Sequence, residues 1–111
     1  MAIALLYTLP RDQRGWHDWS FSNADSHVRI VEAIQRQYGQ TLSSLVLDPI
    51  PWHAIGDWLR NHFVMHAEMD SVLGIDSSDL TIPDFTDRLS MEAWVLQHAD
   101  EHRDAENQLG L

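Results

Sequence analysis

The sequence predicts an all-α protein, a small three-helix bundle built from one repeated helix and preceded by an extended apolar N-terminal arm. Self-similarity, a common helical stripe and regular stop signals together predict it. Laying the chain on itself with a shift of 36 residues superimposes Trp58, His62, His66, Leu73, Gly74 and Ile75 on Trp94, His98, His102, Leu109, Gly110 and Leu111. The shared pattern, W-x3-H-x3-H-x6-L-G-[IL], is the mark of a duplicated supersecondary unit. A looser copy upstream sets Trp19, Asn23, His27 and Ile34 in the same places, without the matching glycine.

At about 100° per residue, positions 0, 4, 8, 11 and 15 of the unit fall within roughly 80° of one another. The stripe reads Trp19, Asn23, His27, Ile30, Ile34 in the first copy and Trp58, His62, His66, Met69, Leu73 in the second. In the third it reads Trp94, His98, His102, Ala105, Leu109. Indoles and imidazoles therefore share the apolar face, and Trp19, Asn23, His27, Trp58, His62, His66, Trp94, His98 and His102 form the expected core. Ser22 or Asn23 can cap the first helix, Pro51 can open the second, and Ser90 can cap the third; Gly39, Gly74 and Gly110 end them. One helical domain over 1–111 follows, with an arm over 1–15 and repeat helices over about 20–38, 52–73 and 90–109. The connections carry loop residues, with an extended stretch expected at Leu45 to Leu47.

Composition narrows the function. An apolar fraction of 44% with five Trp suits one packed core. Seventeen acidic residues against seven Arg leave a net charge of -10, which repels nucleic-acid backbones and anionic headgroups, so neither direct nucleic-acid binding nor membrane binding is expected. With no Cys, disulfides, thiolate zinc sites and cysteine nucleophiles are excluded. The stretch Met1 to Leu9 is apolar but too short to span a bilayer and carries no basic leader. It is expected either to lie on its own domain or to dock on a neighbouring subunit.

The histidines admit two readings. In the favoured one they are packing groups, each donating a ring N–H to a carbonyl, carboxylate or second imidazole beside a Trp, with no cofactor bound. In the alternative, pairs at i and i+4 present His62, His66, His98 and His102, with His27, to a Zn or Fe ion in the bundle core. An antiparallel neighbour pair would bring opposing pairs within about 4.5 Å along the axis. A zinc peptidase is excluded, because Phe63 and Ala99 stand where its general-base Glu must follow the first His. The spacing is also similar to hemerythrin-like bundles, which hold two irons with His and carboxylates; here Glu68, Asp70, Asp104 and Glu106 flank the stripe rather than lie on it. His17 and His53, each following a Trp, are expected at the surface or near caps. Without a phosphate loop, nucleophile elbow or Ser-His-Asp series, no enzymatic activity is expected.

The runs WLRNHFVMHAEMDSVLGIDSSDL and MEAWVLQHADEHRDAENQLGL, with DSHVRIVEAIQRQYG and LVLDPI upstream, resemble small virion-associated proteins from the head and tail gene cluster of tailed bacteriophages. The resemblance implies a non-enzymatic structural component of the virion, at a connector, head-completion or capsid-associated position, made in the host cytoplasm. Its partners would be other virion proteins in a symmetric assembly, with Arg11 and Arg14 available for rim pairs. The alternatives are the metal-binding bundle and an acidic inhibitor of a host nucleic-acid-binding protein.

Overall fold

A computed structural model describes residues 6–42 and 54–111. Its elements are α1 (Gln13–Tyr38), α2 (Ile55–Leu73) and α3 (Arg88–Gln108), with no strand among the described residues. The molecule is thus an all-α three-helix bundle; the expected extended stretch at Leu45 to Leu47 lies outside the described residues.

The helix ends show which polar groups the backbone chose. α1 starts well ahead of the expected position, because Asp12 accepts a hydrogen bond from the Gly15 N–H at 2.7 Å and caps it. Ser22 and Asn23, the expected caps, are buried in mid-helix instead. For α3 the cap is Asp87, accepting from the Leu89 N–H, while Ser90 Oγ accepts from the Asp84 N–H and serves the preceding turn. α2 opens after Ala54 with no side-chain cap; Pro51 lies outside the described residues. Gly39, Gly74 and Gly110 take φ of 66°, 71° and 75°, the left-handed conformation that a side chain would strain.

The three helices run parallel. Trp19, Trp58 and Trp94 meet in one apolar cluster toward the N-terminal ends, and Ile34, Leu73 and Leu109 meet in another toward the C-terminal ends. The antiparallel arrangement considered from the sequence is therefore corrected. Length permits the reversal: the 74–87 connection can extend roughly 46 Å, whereas a helix of the size of α3 rises only about 32 Å. That connection returns along the outside of α2 and α3, with Thr81 and Asp79 bonded to Gln97 and Phe85 against Gly56.

From Leu6 onward the N-terminal arm lies on its own domain. Leu6 is fully buried in the tryptophan cluster, and Tyr7 donates its hydroxyl to Asp100 at 2.9 Å. Truncating that anchor opens a cavity beneath the indoles, so Leu6→Ala should cost about 3 kcal/mol in a urea or guanidinium unfolding experiment. An unfolding midpoint equal to that of the parent chain would mean that the arm contributes nothing to the core.

Candidate metal centre

Parallel running has a direct consequence for the repeat. Residues at the same place in each copy come to the same height, so the bundle is layered. The tryptophans form the first layer, packed mostly edge to face with centroids 5.7–6.4 Å apart. Ile30, Met69, Ala105, Ile34, Leu73 and Leu109 form the last layers. Between these two apolar clusters lies a slab of buried imidazole from His27, His62, His66, His98 and His102. Each of these rings is at most 4% exposed.

The indoles set the ring orientations. Trp58 stacks on His62 one turn later at 4.4 Å and 14°, and Trp94 stacks on His98 at 4.8 Å and 23°. Trp19, with no histidine one turn on, leans on His98. Held in this way, the imidazoles turn their nitrogens together: His62 Nε2 lies 3.1 Å from His27 Nε2, 3.1 Å from His66 Nε2 and 3.3 Å from His98 Nε2. One ligand atom from each of the five residues falls within 4.8 Å of all the others.

Hydrogen-bond polarity identifies two of the inward atoms as lone pairs. Ser26 has one proton, and it goes to Glu106 Oε2 at 2.9 Å. His102 Nδ1, 2.7 Å from Ser26 Oγ, must then be the donor, which leaves His102 Nε2 bare. That nitrogen is buried without a hydrogen-bond partner. His66 Nδ1 likewise donates to Glu101 Oε2 at 2.6 Å, leaving its Nε2 bare beside His62. Glu106 is held in turn by Arg29 at 2.9 Å. Imidazole N–H groups donated outward to carboxylates, directly or through a hydroxyl, are the outer shell that raises ligand basicity at protein metal sites.

A purely hydrogen-bonded core accounts poorly for this arrangement. A neutral ring nitrogen carries either one proton or one lone pair, so His62 Nε2 can make one good bond among its three close nitrogen neighbours. A cation satisfies all of them together. With metal–nitrogen bonds of about 2.1 Å, adjacent ligands of an octahedron are about 3.0 Å apart and opposite ones about 4.2 Å. The observed 3.1–3.3 Å contacts lie between this adjacent spacing and the roughly 3.4 Å of a tetrahedron.

The carboxylates differ from the sequence reading. Asp70 and Glu106, twelve residues after Trp58 and Trp94, are only 2% and 5% exposed and belong to the core. Glu68 is half-buried and Asp104 exposed. Burial pushes the Asp70 carboxyl up to about 8, and its hydrogen bond with Glu101 adds to the rise. Burial also raises Glu101, against the hydrogen bond from Asp70. Ser26 and Glu101, both seven residues after a Trp, carried no motif; that position lies only about 20° from the Trp on the helix wheel. His17 is exposed against Phe21, and His53 lies outside the described residues.

Comparison with protein-family models, with curated proteins and with solved structures finds no match.

Acid should unfold the metal-free protein. Desolvation holds His27, His62, His98 and His102 well below the ordinary 6.5, reinforced by neighbouring imidazoles, and brings His66 down to about 4. The unfolded chain therefore binds more protons than the folded one as pH falls below about 6.5, at a cost of up to about 1.4 kcal/mol per pH unit for each histidine. Melting in chelator at pH 7.5 and pH 5.5 should show a much lower Tm at the acid end; equal values would contradict the buried, neutral state of the cluster.

Proposed function

We propose that this protein is a metal-binding helical protein whose core holds one six-coordinate divalent first-row ion, iron or nickel, through His27, His62, His66, His98 and His102. The reading is carried by the convergence of ring nitrogens in a dry slab with N–H groups turned outward to Glu101 and Ser26. Imidazole donors suit zinc, copper, iron and nickel. Five such donors exceed the four that a structural zinc site closes around, and an octahedral arrangement favours iron(II) or nickel(II) over copper(II).

One ion fits better than two. Paired metals stand about 3.5–4 Å apart and spread their ligands accordingly. Here the nitrogens stay within 4.8 Å of one another, and Glu101 approaches from the Nδ1 side of His66, one shell out.

Protein prepared without chelator should carry close to one iron or nickel per chain by plasma mass spectrometry. Removal of the metal should lower Tm, since a ligand at a hundred times its Kd adds about 2.7 kcal/mol to stability. His62→Ala should abolish both the stoichiometry and the response of Tm to metal. Glu101→Gln, which weakens the acceptor of His66, should reduce metal affinity about 10- to 100-fold with the fold retained. A chain that takes up no stoichiometric metal, as purified or after reconstitution, would overturn the proposal.

A virion role, the expectation that comes from the phage resemblance, is compatible with such a centre, because an ion tying three helices together also stiffens a particle subunit. Mass spectrometry of purified particles tests it independently.

A further inference from the structure

We propose that the sixth position of the ion lies beside Asn23 and takes one small exchangeable ligand, water in the resting protein and a small anion such as azide in competition with it. The inference rests on the single-ion reading above, and two separate observations lead to the same vertex.

The first is register. Three parallel helices, each offering positions 4 and 8 of the repeat, supply six places in two triangles. One triangle is Asn23, His62 and His98; the other is His27, His66 and His102. Two triangles staggered about one axis are the vertices of an octahedron, and five of them are imidazoles.

The second is ring contact. The five imidazoles touch one another with centroids 4.4–5.1 Å apart, except for two pairs, His27 with His98 and His62 with His102. Opposite vertices of an octahedron are the ones that do not touch, so these are the two opposed pairs. His66 is left with no histidine facing it. The vertex opposite His66 adjoins the other four histidines, and in the register above that vertex is Asn23.

Asn23 has the character the position needs. It is 5% exposed, and its Oδ1 is buried with no hydrogen-bond partner. An asparagine side chain reaches less far from its helix than an imidazole does. The vertex is therefore left to a ligand that binds through one atom, a water or the terminal nitrogen of azide, and a metal-bound water would donate its O–H to that oxygen. Trp19, one turn earlier on the same face, has a buried Nε1–H that also lacks a partner and can donate to an anion. Five neutral imidazoles leave the charge of the ion unneutralised within its first shell, which favours an anionic sixth ligand.

The test is an azide titration of the cobalt(II)-loaded chain, followed by the visible spectrum, with cobalt stoichiometry measured in parallel. The parent protein should show a saturable change at one azide per cobalt. Asn23→His should still bind one cobalt but lose the azide response, because a sixth imidazole fills the vertex. Should Asn23→His fail to fold, Asn23→Gln carries the test, its longer amide lowering azide affinity at least tenfold. Leu80→Trp fills a candidate opening away from Asn23, a hollow of about 10 Å³ between α2 and α3 beside His62, His66, His98 and Glu101; it should leave the titration unchanged. An unaltered azide response in Asn23→His, or its loss in Leu80→Trp, would overturn the assignment, as would a parent protein that binds one cobalt and no azide. A parent protein that binds no cobalt would instead remove the metal reading itself.

Discussion

Five buried imidazoles turn ring nitrogens toward a common point, those of His66 and His102 bare, and the rest of the molecule is arranged around that constraint. Lone pairs facing one another repel, and each buried acceptor left unsatisfied costs about 1–3 kcal/mol. Stability for a domain of this size is only about 5–15 kcal/mol in total. The apolar layers on either side, tryptophan above and Ile34, Leu73 and Leu109 below, keep water from relieving the strain. A cation would remove the conflict at every nitrogen together and would couple metal binding to folding.

Parallel helices are what make a repeated sequence useful here. In an antiparallel pair, Trp of one copy would face Leu of the next, and the histidine pairs would pass each other with an offset. With the chains parallel, position 4 meets position 4 and position 8 meets position 8, so a unit that carries one histidine pair builds two layers of a shell. Long return connections are the cost of this topology. The one described throughout, 74–87, is used as a wall: Leu80 and Thr81 lie over the groove where His62, His66 and His98 come closest to the surface.

The helices, their glycine stops and the inward turn of Trp and His were legible because they repeat at helical spacing, as Trp58 and Trp94 do with the histidines after them. Chain direction was not. Hydropathy reads which face of a helix is buried, and the same stripe serves a parallel or an antiparallel neighbour. Asp70 and Glu106 were misplaced because they sit about 120° from Trp on the wheel, beyond the stripe, and a carboxylate there is ordinarily solvated. Ser26 was invisible for another reason: its role depends on His102 and Glu106 of a different helix, and no local pattern records a partner 76 or 80 residues away. The early start of α1 came from a single strong cap, Asp12, outside the repeat.

The departures from the repeat matter as much as the repeat. A perfect threefold unit would surround an ion with six equivalent imidazoles and give it no preferred side. In this chain the outer partners differ from ring to ring: His102 leans on Ser26, which Glu106 and Arg29 hold in turn, His66 leans on Glu101, and Nδ1 of His27 and of His98 has no hydrogen-bond partner. An ion in the slab would meet stronger donors in His66 and His102 than in His27 and His98, and α1 is the helix in which Asn23 stands in place of a histidine. A well-supported donor at His66 opposite a short neutral amide at Asn23 is the distribution that a centre would need in order to keep a metal while exchanging one ligand.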